Sequence, residues 1–204
     1  EILRCLVGSE MCIRDSYHTS YLGAPHDYLW ICTTPPVLMY EELKKAYDTG
    51  ADRYWLLNVG DIKPAELAIK TYFDMAWDID KYDIHSINEH QASFMAGLFG
   101  DAYNARFQRM LDEYYRLAWS RKPEFMGWER EWDAPEYTEL ASTDYSFQNY
   151  NDALRRLDDY QRLSDKAVRL YNELPENYRP AFFELIGYQA LASYQMNRKF
   201  LMHN

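Results

Sequence analysis

The features that would place this chain at a glance are mostly missing from it. Cysteine is scarce: Cys5, Cys12 and Cys32 make an odd set without metal-ligand spacing, so neither a disulfide framework nor a zinc site follows. No apolar run is long enough to cross a bilayer. The first residues have neither the charged start nor the small-residue cleavage site of a secretory signal. Positive charge is in deficit, with 22 Lys and Arg against 32 Asp and Glu and a formal net charge of −10. That balance argues against a nucleic-acid partner and against an anionic membrane surface. A Gly-rich phosphate loop, a nucleophile elbow and a Cys/His pair are also missing, as are internal repeats and low-complexity segments.

What the chain does have is length and apolar mass. Its 204 residues, 48% of them apolar, suffice for one large domain or two small ones around a real core. Aromatics reach 17%, with 19 Tyr and 6 Trp. Such rings serve either as flat platforms for sugars or bases or, more commonly, as packing material.

The organising stretch is Arg53 to Pro64, RYWLLNVGDIKP. Tyr54, Trp55, Leu56, Leu57 and Val59 form an almost continuous apolar run, which reads as a strand covered on both faces in a parallel sheet. Gly60 and Asp61 turn the chain, Pro64 suits the first turn of a helix, and an amphipathic segment follows from Ala65 to Trp77. Loops after the carboxyl ends of parallel strands carry ligand sites, so Asn58 and Asp61 stand where function is expected. Asn-Val-Gly-Asp is equally ordinary turn chemistry, and both readings stay open.

Glu1 to Ser16, EILRCLVGSEMCIRDS, differs in character from the rest and resembles translated sequencing-adapter DNA. It is therefore excluded from fold reasoning as a non-native tail over 1–16, and codons for it upstream of Tyr17 in source DNA are not expected. Tyr17 to Leu22 then reads as a strand, Gly23 to Thr34 as a loop, and Pro35-Pro36 as the opening of a helix. In that helix Met39, Leu43, Ala46 and Tyr47 recur at helical spacing, Glu41 and Glu42 lie near the amino end, and Gly50 is the stop. Two strand-helix units in succession imply neighbouring parallel strands. They look like the end of a larger α/β domain.

After Trp77 the pattern becomes all-helical, which places a boundary near residue 80. Asp78, Asp80 and Asp83 lack the Gly and terminal Glu of a calcium loop, and His85 and His90 miss the spacing of a zincin pair. Asn88 with Gln91 resembles a capping box for a helix to Phe99. A further helix carries Tyr103, Phe107, Met110, Leu111, Tyr114 and Leu117 on one face. Lys122 to Phe147 reads as irregular. Asp152 to Leu174 shows alternating steps of three and four, and Ala181, Leu185, Tyr188, Ala192 and Met196 continue that pattern after Pro175. These helices read as an antiparallel bundle. The expected fold is thus α/β followed by all-α.

If the two strands are neighbours, His18 and Tyr21 from the first and Asn58 and Asp61 from the second converge on one rim. A His, a Tyr, an Asn and an Asp suit a polyhydroxylated or carboxylate-bearing ligand, or else a satisfied network at a strand end.

YHTSYLGAPHDYLW, followed by NVGDIKPAEL with Asn58 forty residues after His18, resembles glycoside hydrolase family 115, the xylan α-1,2-glucuronidases. The shared skeleton is Tyr17, His18, Tyr21, Gly23, Pro25, Tyr28 and Trp30; then Gly50, Asp52, Arg53, Trp55, Asn58, Val59, Gly60, Asp61, Lys63 and Pro64; then Asp74, Ala76 and Trp77. Ser20 stands where an acid is expected, and Cys32-Thr33-Thr34 replaces an Asn-Thr pair. The resemblance implies that 17–80 is the C-terminal part of an eight-stranded β/α catalytic barrel and 81–204 the helical bundle that follows. It implies removal of glucuronic acid or its 4-O-methyl ether from glucuronoxylan with inversion, no cofactor and no metal. It also implies His18, Tyr21 and Asn58 lining the glucuronate pocket, Asp61 beside them or holding the turn, and the catalytic acid and base outside this chain. Export to the periplasm or beyond follows from the same resemblance. Two alternatives stand beside it: a hydrolase acting on another acidic sugar, and a helical module that forms a homodimer.

Overall fold

The computed structural model describes residues 14–19, 30–126 and 143–203. Two strands, β1 (Arg14–His18) and β2 (Tyr54–Asn58), pair in parallel with Arg14 opposite Tyr54 and His18 opposite Asn58. Between them runs α1 (Pro36–Asp48), and α2 (Glu66–Trp77) follows β2. The helical remainder comprises α3 (Ser86–Phe99), α4 (Asn104–Ser120), α5 (Asp152–Glu173), a short α6 (Arg179–Phe182) and α7 (Tyr188–His203). A π-helical turn over Phe183–Gly187 separates α6 from α7.

The parallel pairing is the one expected, with two differences. β1 begins at Arg14, inside the stretch set aside as a tail, because the edge of β2 pairs with any extended backbone in register. Tyr17 and His18 are in it, while Ser20 to Leu22 lie outside the described residues. The second difference concerns β2. Trp55 and Leu57 point toward the core shared by α1 and α2, whereas Tyr54 and Leu56 remain 54% and 50% exposed. Helices cover one face of the pair, and nothing among the described residues covers the other.

Under that covered face Met39, Leu43, Ala68, Tyr72, Met75 and Ile79 form a compact cluster, with Tyr72 ringed by Tyr17 and Trp55 at 6.3 and 6.2 Å. Gly50 ends α1 at φ 101°, a conformation glycine adopts without steric cost. Glu41 and Glu42 do not serve the amino end of α1; they pair with Lys45 one turn on. α3 starts two residues before Asn88. Asp83 caps it by accepting from the backbone N–H groups of His85 and Ser86, and the Ser86 hydroxyl accepts from the Asp83 N–H in return. Gln91 is consequently not a cap. It is buried, donating to Thr71 and accepting from the Tyr115 hydroxyl, so that α2, α3 and α4 are tied by one amide.

The larger core lies among α3, α4, α5 and α7, and it includes Ile31 and Leu67 from the α/β part. Arg106 near the start of α4 pairs with Glu173 at the end of α5. At the other end Arg156 of α5 meets the close of α4, so these two helices run in opposite directions. Arg156 is 5% exposed; it donates to Leu117 O, Ser120 Oγ, Arg121 O and Asn197 Oδ1, between the rings of Tyr145 and Tyr160. The carbonyls at a helix C-terminus and the aromatic faces solvate this cation in place of a carboxylate. Along α6, the π turn and α7 the buried face is not the expected one. Phe182, Ile186, Gln189, Ala190, Ser193, Asn197 and Leu201 are inside, while Ala181, Leu185, Tyr188, Ala192 and Met196 are exposed or half-buried. An apolar count misses that face because three of its members are polar.

Asp74 of α2 holds His90 Nε2 at 2.7 Å and pairs with Lys70. Burial opposes its charge, but Lys70 and His90 outweigh it and hold the carboxyl below its ordinary range. A depressed carboxyl contributes stability above its unfolded pKa and loses it as pH falls through the folded one. Asp74→Asn is expected to lower stability by about 1 kcal/mol at neutral pH. In urea unfolding the gap from wild type should close as pH drops through and below the ordinary carboxylate range, and a gap independent of pH would refute the pairing.

Candidate functional site

β1 and β2 end side by side, and their last residues carry the first part of the site. The Asn58 amide Nδ2 lies 3.1 Å from His18 Nδ1, both side chains being exposed. With Asn58 as donor, Nδ1 accepts and the ring proton sits on Nε2, which makes the imidazole a donor at the rim. Below this pair, Thr19 is buried and sends both its backbone N–H and its hydroxyl to Asn58 O, at 2.9 and 3.2 Å. The two strand ends are therefore held in register through their exit from the sheet. Of the four residues expected at this rim, His18 and Asn58 come together, Asp61 stands in the adjoining turn, and Tyr21 lies outside the described residues.

Asp61 belongs to the wall of an open cleft of about 780 Å³ between the β2 exit loop and the start of α7. Gly60 to Pro64 form one side; Phe183, Glu184 and Tyr188 form the other, with Trp30 between. Trp30 is T-stacked on Tyr188 at 6.4 Å, and Tyr188 on Phe183 at 6.3 Å. Burial, followed by the negative charges of Glu124 and Asp61, pushes the Tyr188 hydroxyl above its ordinary pKa, so it stays protonated at neutral pH. Lys63 Nζ sits 2.9 Å from Glu66, whose hydrogen bond raises the ammonium pKa.

Three buried side chains hold the walls in place. Glu124, 5% exposed, accepts the backbone N–H groups of Trp30 and Ile31 at 2.7 and 2.8 Å, which fixes where Trp30 enters. Gln189, 2% exposed, accepts from the Cys32 N–H at 2.9 Å and donates to Pro64 O at 2.8 Å. Tyr114 donates to Cys32 O at 2.7 Å, and burial keeps its hydroxyl pKa well above the ordinary value. One glutamine of α7 thus spans the segments that leave β1 and β2.

Sequence reasoning missed Phe183, Glu184, Tyr188 and Glu124 as site residues. Tyr188 shares the apolar spacing of its helix and so reads as part of a buried face, and the π turn that presents Phe183 and Glu184 has no periodic signature. Glu124 follows Lys122-Pro123 in a stretch read as irregular; a lone acid behind a proline was its only mark. Among the described residues no three His, Cys, Asp or Glu side chains gather as a metal site, and no helix is long and apolar enough to cross a membrane.

Comparison with known proteins places the chain beside one family and one solved structure. The model of the family described as glycosyl hydrolase family 115 matches residues 16–125. A solved structure described as a novel family GH115 4-O-methyl-α-glucuronidase, BtGH115A, with specificity for decorated arabinogalactans, is similar at 38% identity and a TM-score of 0.80. The match covers 91% of this chain and 24% of that one, so this chain spans about a quarter of its length. No curated protein matches.

Gln189→Leu would leave the buried Cys32 N–H and the half-buried Pro64 carbonyl without this partner. A loss of about 1–3 kcal/mol is expected, read as a lower urea midpoint at unchanged m-value. A midpoint within experimental error of wild type would show that the glutamine does not hold the two segments.

Proposed function

We propose that this chain, which belongs to glycosyl hydrolase family 115, is part of a glycosidase that removes glucuronic acid or its 4-O-methyl ether from xylan with inversion. The observation that carries this reading is the parallel pair that sets His18 beside Asn58 at the carboxyl ends of neighbouring strands, within the segment matched by the family. Ligands of parallel α/β folds bind at that rim.

In this reading residues 17–80 are the last strand-helix units of an eight-stranded barrel, and 81–204 form an antiparallel helical bundle packed on it. His18, Tyr21 and Asn58 line the uronate pocket, with Asp61 at its edge. The imidazole Nε2–H and the Asn58 amide supply donors, and the sugar carboxylate and hydroxyls supply acceptors. Inverting hydrolysis needs an acid and a base about 6.5–9.5 Å apart with a water between them. Those two groups come from other barrel strands, and this chain holds and orients substrate. A second reading keeps the chemistry and changes the glycan: the similar structure is described as specific for decorated arabinogalactans, which favours a uronate carried on a galactan chain.

The test is expression of the full open reading frame and assay of 4-O-methylglucuronic acid release from glucuronoxylan and from uronate-decorated arabinogalactan. Wild type is expected to release the acid from one of them, and Asn58→Ala to lower kcat/KM about ten- to hundredfold, the cost of a lost hydrogen bond to a charged ligand. The isolated 204 residues are expected to release none. Unchanged kcat/KM in the variant, or release by the isolated chain, would overturn the assignment of roles.

A further inference from the structure

The cleft beside the rim has a chemistry that uronate binding does not use. Three aromatic side chains, Trp30, Phe183 and Tyr188, form one apolar surface, and Phe183 is 39% exposed. Two carboxylates, Asp61 and Glu184, stand in the same lining against one ammonium, Lys63, which already engages Glu66. A further carboxylate entering here meets two like charges and one committed cation, a net repulsion. A neutral pyranose meets the opposite situation. Its C–H face is apolar and suits the rings, its hydroxyls donate to the carboxylates, and the Tyr188 hydroxyl remains a neutral hydrogen-bonding group. The volume of about 780 Å³ is within the range of built ligand clefts.

The backbone gives a second, independent reason. The helix that reaches the cleft is broken by the π turn Phe183–Gly187, and two cleft residues, Phe183 and Glu184, lie in that turn. π turns weaken the regular hydrogen-bond ladder and recur at functional sites. Gly187 ends this one, and a Cβ there would make ordinary van der Waals contact, 3.4 Å from the Phe183 ring and 3.5 Å from the Phe182 carbonyl oxygen. The turn thus carries an exposed aromatic ring and an exposed carboxylate into the cleft lining.

We infer that this cleft binds neutral pyranose residues of the glycan main chain, while the uronic acid is taken at the His18–Asn58 rim. The choice of a sugar ligand rests on the glycosidase reading; the preference for a neutral one rests on the rings and charges of the cleft itself. A main chain seated here would bring its uronate branch toward the neighbouring rim.

Hydrogen exchange of the 204-residue chain, measured with β-1,4-xylohexaose, β-1,3-galactohexaose or free glucuronate, tests the inference. Protection of 60–64 and 183–188 by a neutral hexasaccharide and not by glucuronate is expected, and which hexasaccharide protects identifies the main chain. Calorimetry with that hexasaccharide should show about tenfold weaker binding for Tyr188→Ala and about a two- to fourfold loss for Tyr188→Phe, which keeps the ring and loses only the hydroxyl. If Tyr188→Ala does not fold, the exchange pattern of the wild type decides alone. Protection of these segments by glucuronate, or by neither hexasaccharide, overturns the inference. Either result leaves the hydrolase reading to the Asn58→Ala assay, so the two can fail separately.

Discussion

The amide of Gln189 is the contact on which the relation between the sheet and the helices depends. It takes the N–H of Cys32, where the chain has left β1, and gives a proton to the carbonyl of Pro64, where it has left β2. The Cys32 N–H is buried and the Pro64 carbonyl half-buried, and an unpaired buried N–H or C=O costs about 1–3 kcal/mol. The helical side therefore satisfies the ends of the α/β side, and neither can shift without stranding a polar group. Tyr114 reinforces the same point from α4 by donating to Cys32 O.

The same device recurs through an otherwise aromatic interior. Gln91 links Thr71 on α2 to Tyr115 on α4, and Arg156 closes the end of α4 against α5 and α7. Apolar packing alone tolerates sliding and rotation of helices. Directional bonds from one side chain to two or three elements do not. Phe99, Phe107 and Phe182 stack edge-on or tilted within this frame, at 5.8 to 6.3 Å, and supply burial. Orientation comes from the few polar residues among them.

That orientation produces two adjoining surfaces of different chemistry. At the strand ends, exposed nitrogen groups of His18 and Asn58 offer donors; a turn away, rings and carboxylates of the cleft offer an apolar plane and acceptors. A branched acidic glycan presents the complementary pair, an anionic side sugar on a neutral chain. The exposed Tyr54 and Leu56 on the other face of the sheet are apolar surface of the kind that further packing elements cover.

Residue order alone determined the elements and the rim. The apolar run ending at Asn58, the Gly-Asp turn and the prolines ahead of α1 and α2 specify strand, loop and helix locally, and the strand-helix succession forces a parallel pair with His18 and Asn58 at the same end. These are short-range effects, so they are written in short stretches. Tertiary structure decided the rest, for a common reason. Glu124, Gln189 and Arg156 look like surface residues in sequence, since nothing local shows that their partners lie 35 to 157 residues away. The cleft exists because Trp30, the β2 exit loop and a π turn near residue 185 meet in space. A hydrogen bond between distant backbone groups leaves no period to read, and only the packed chain reveals which polar residue it uses.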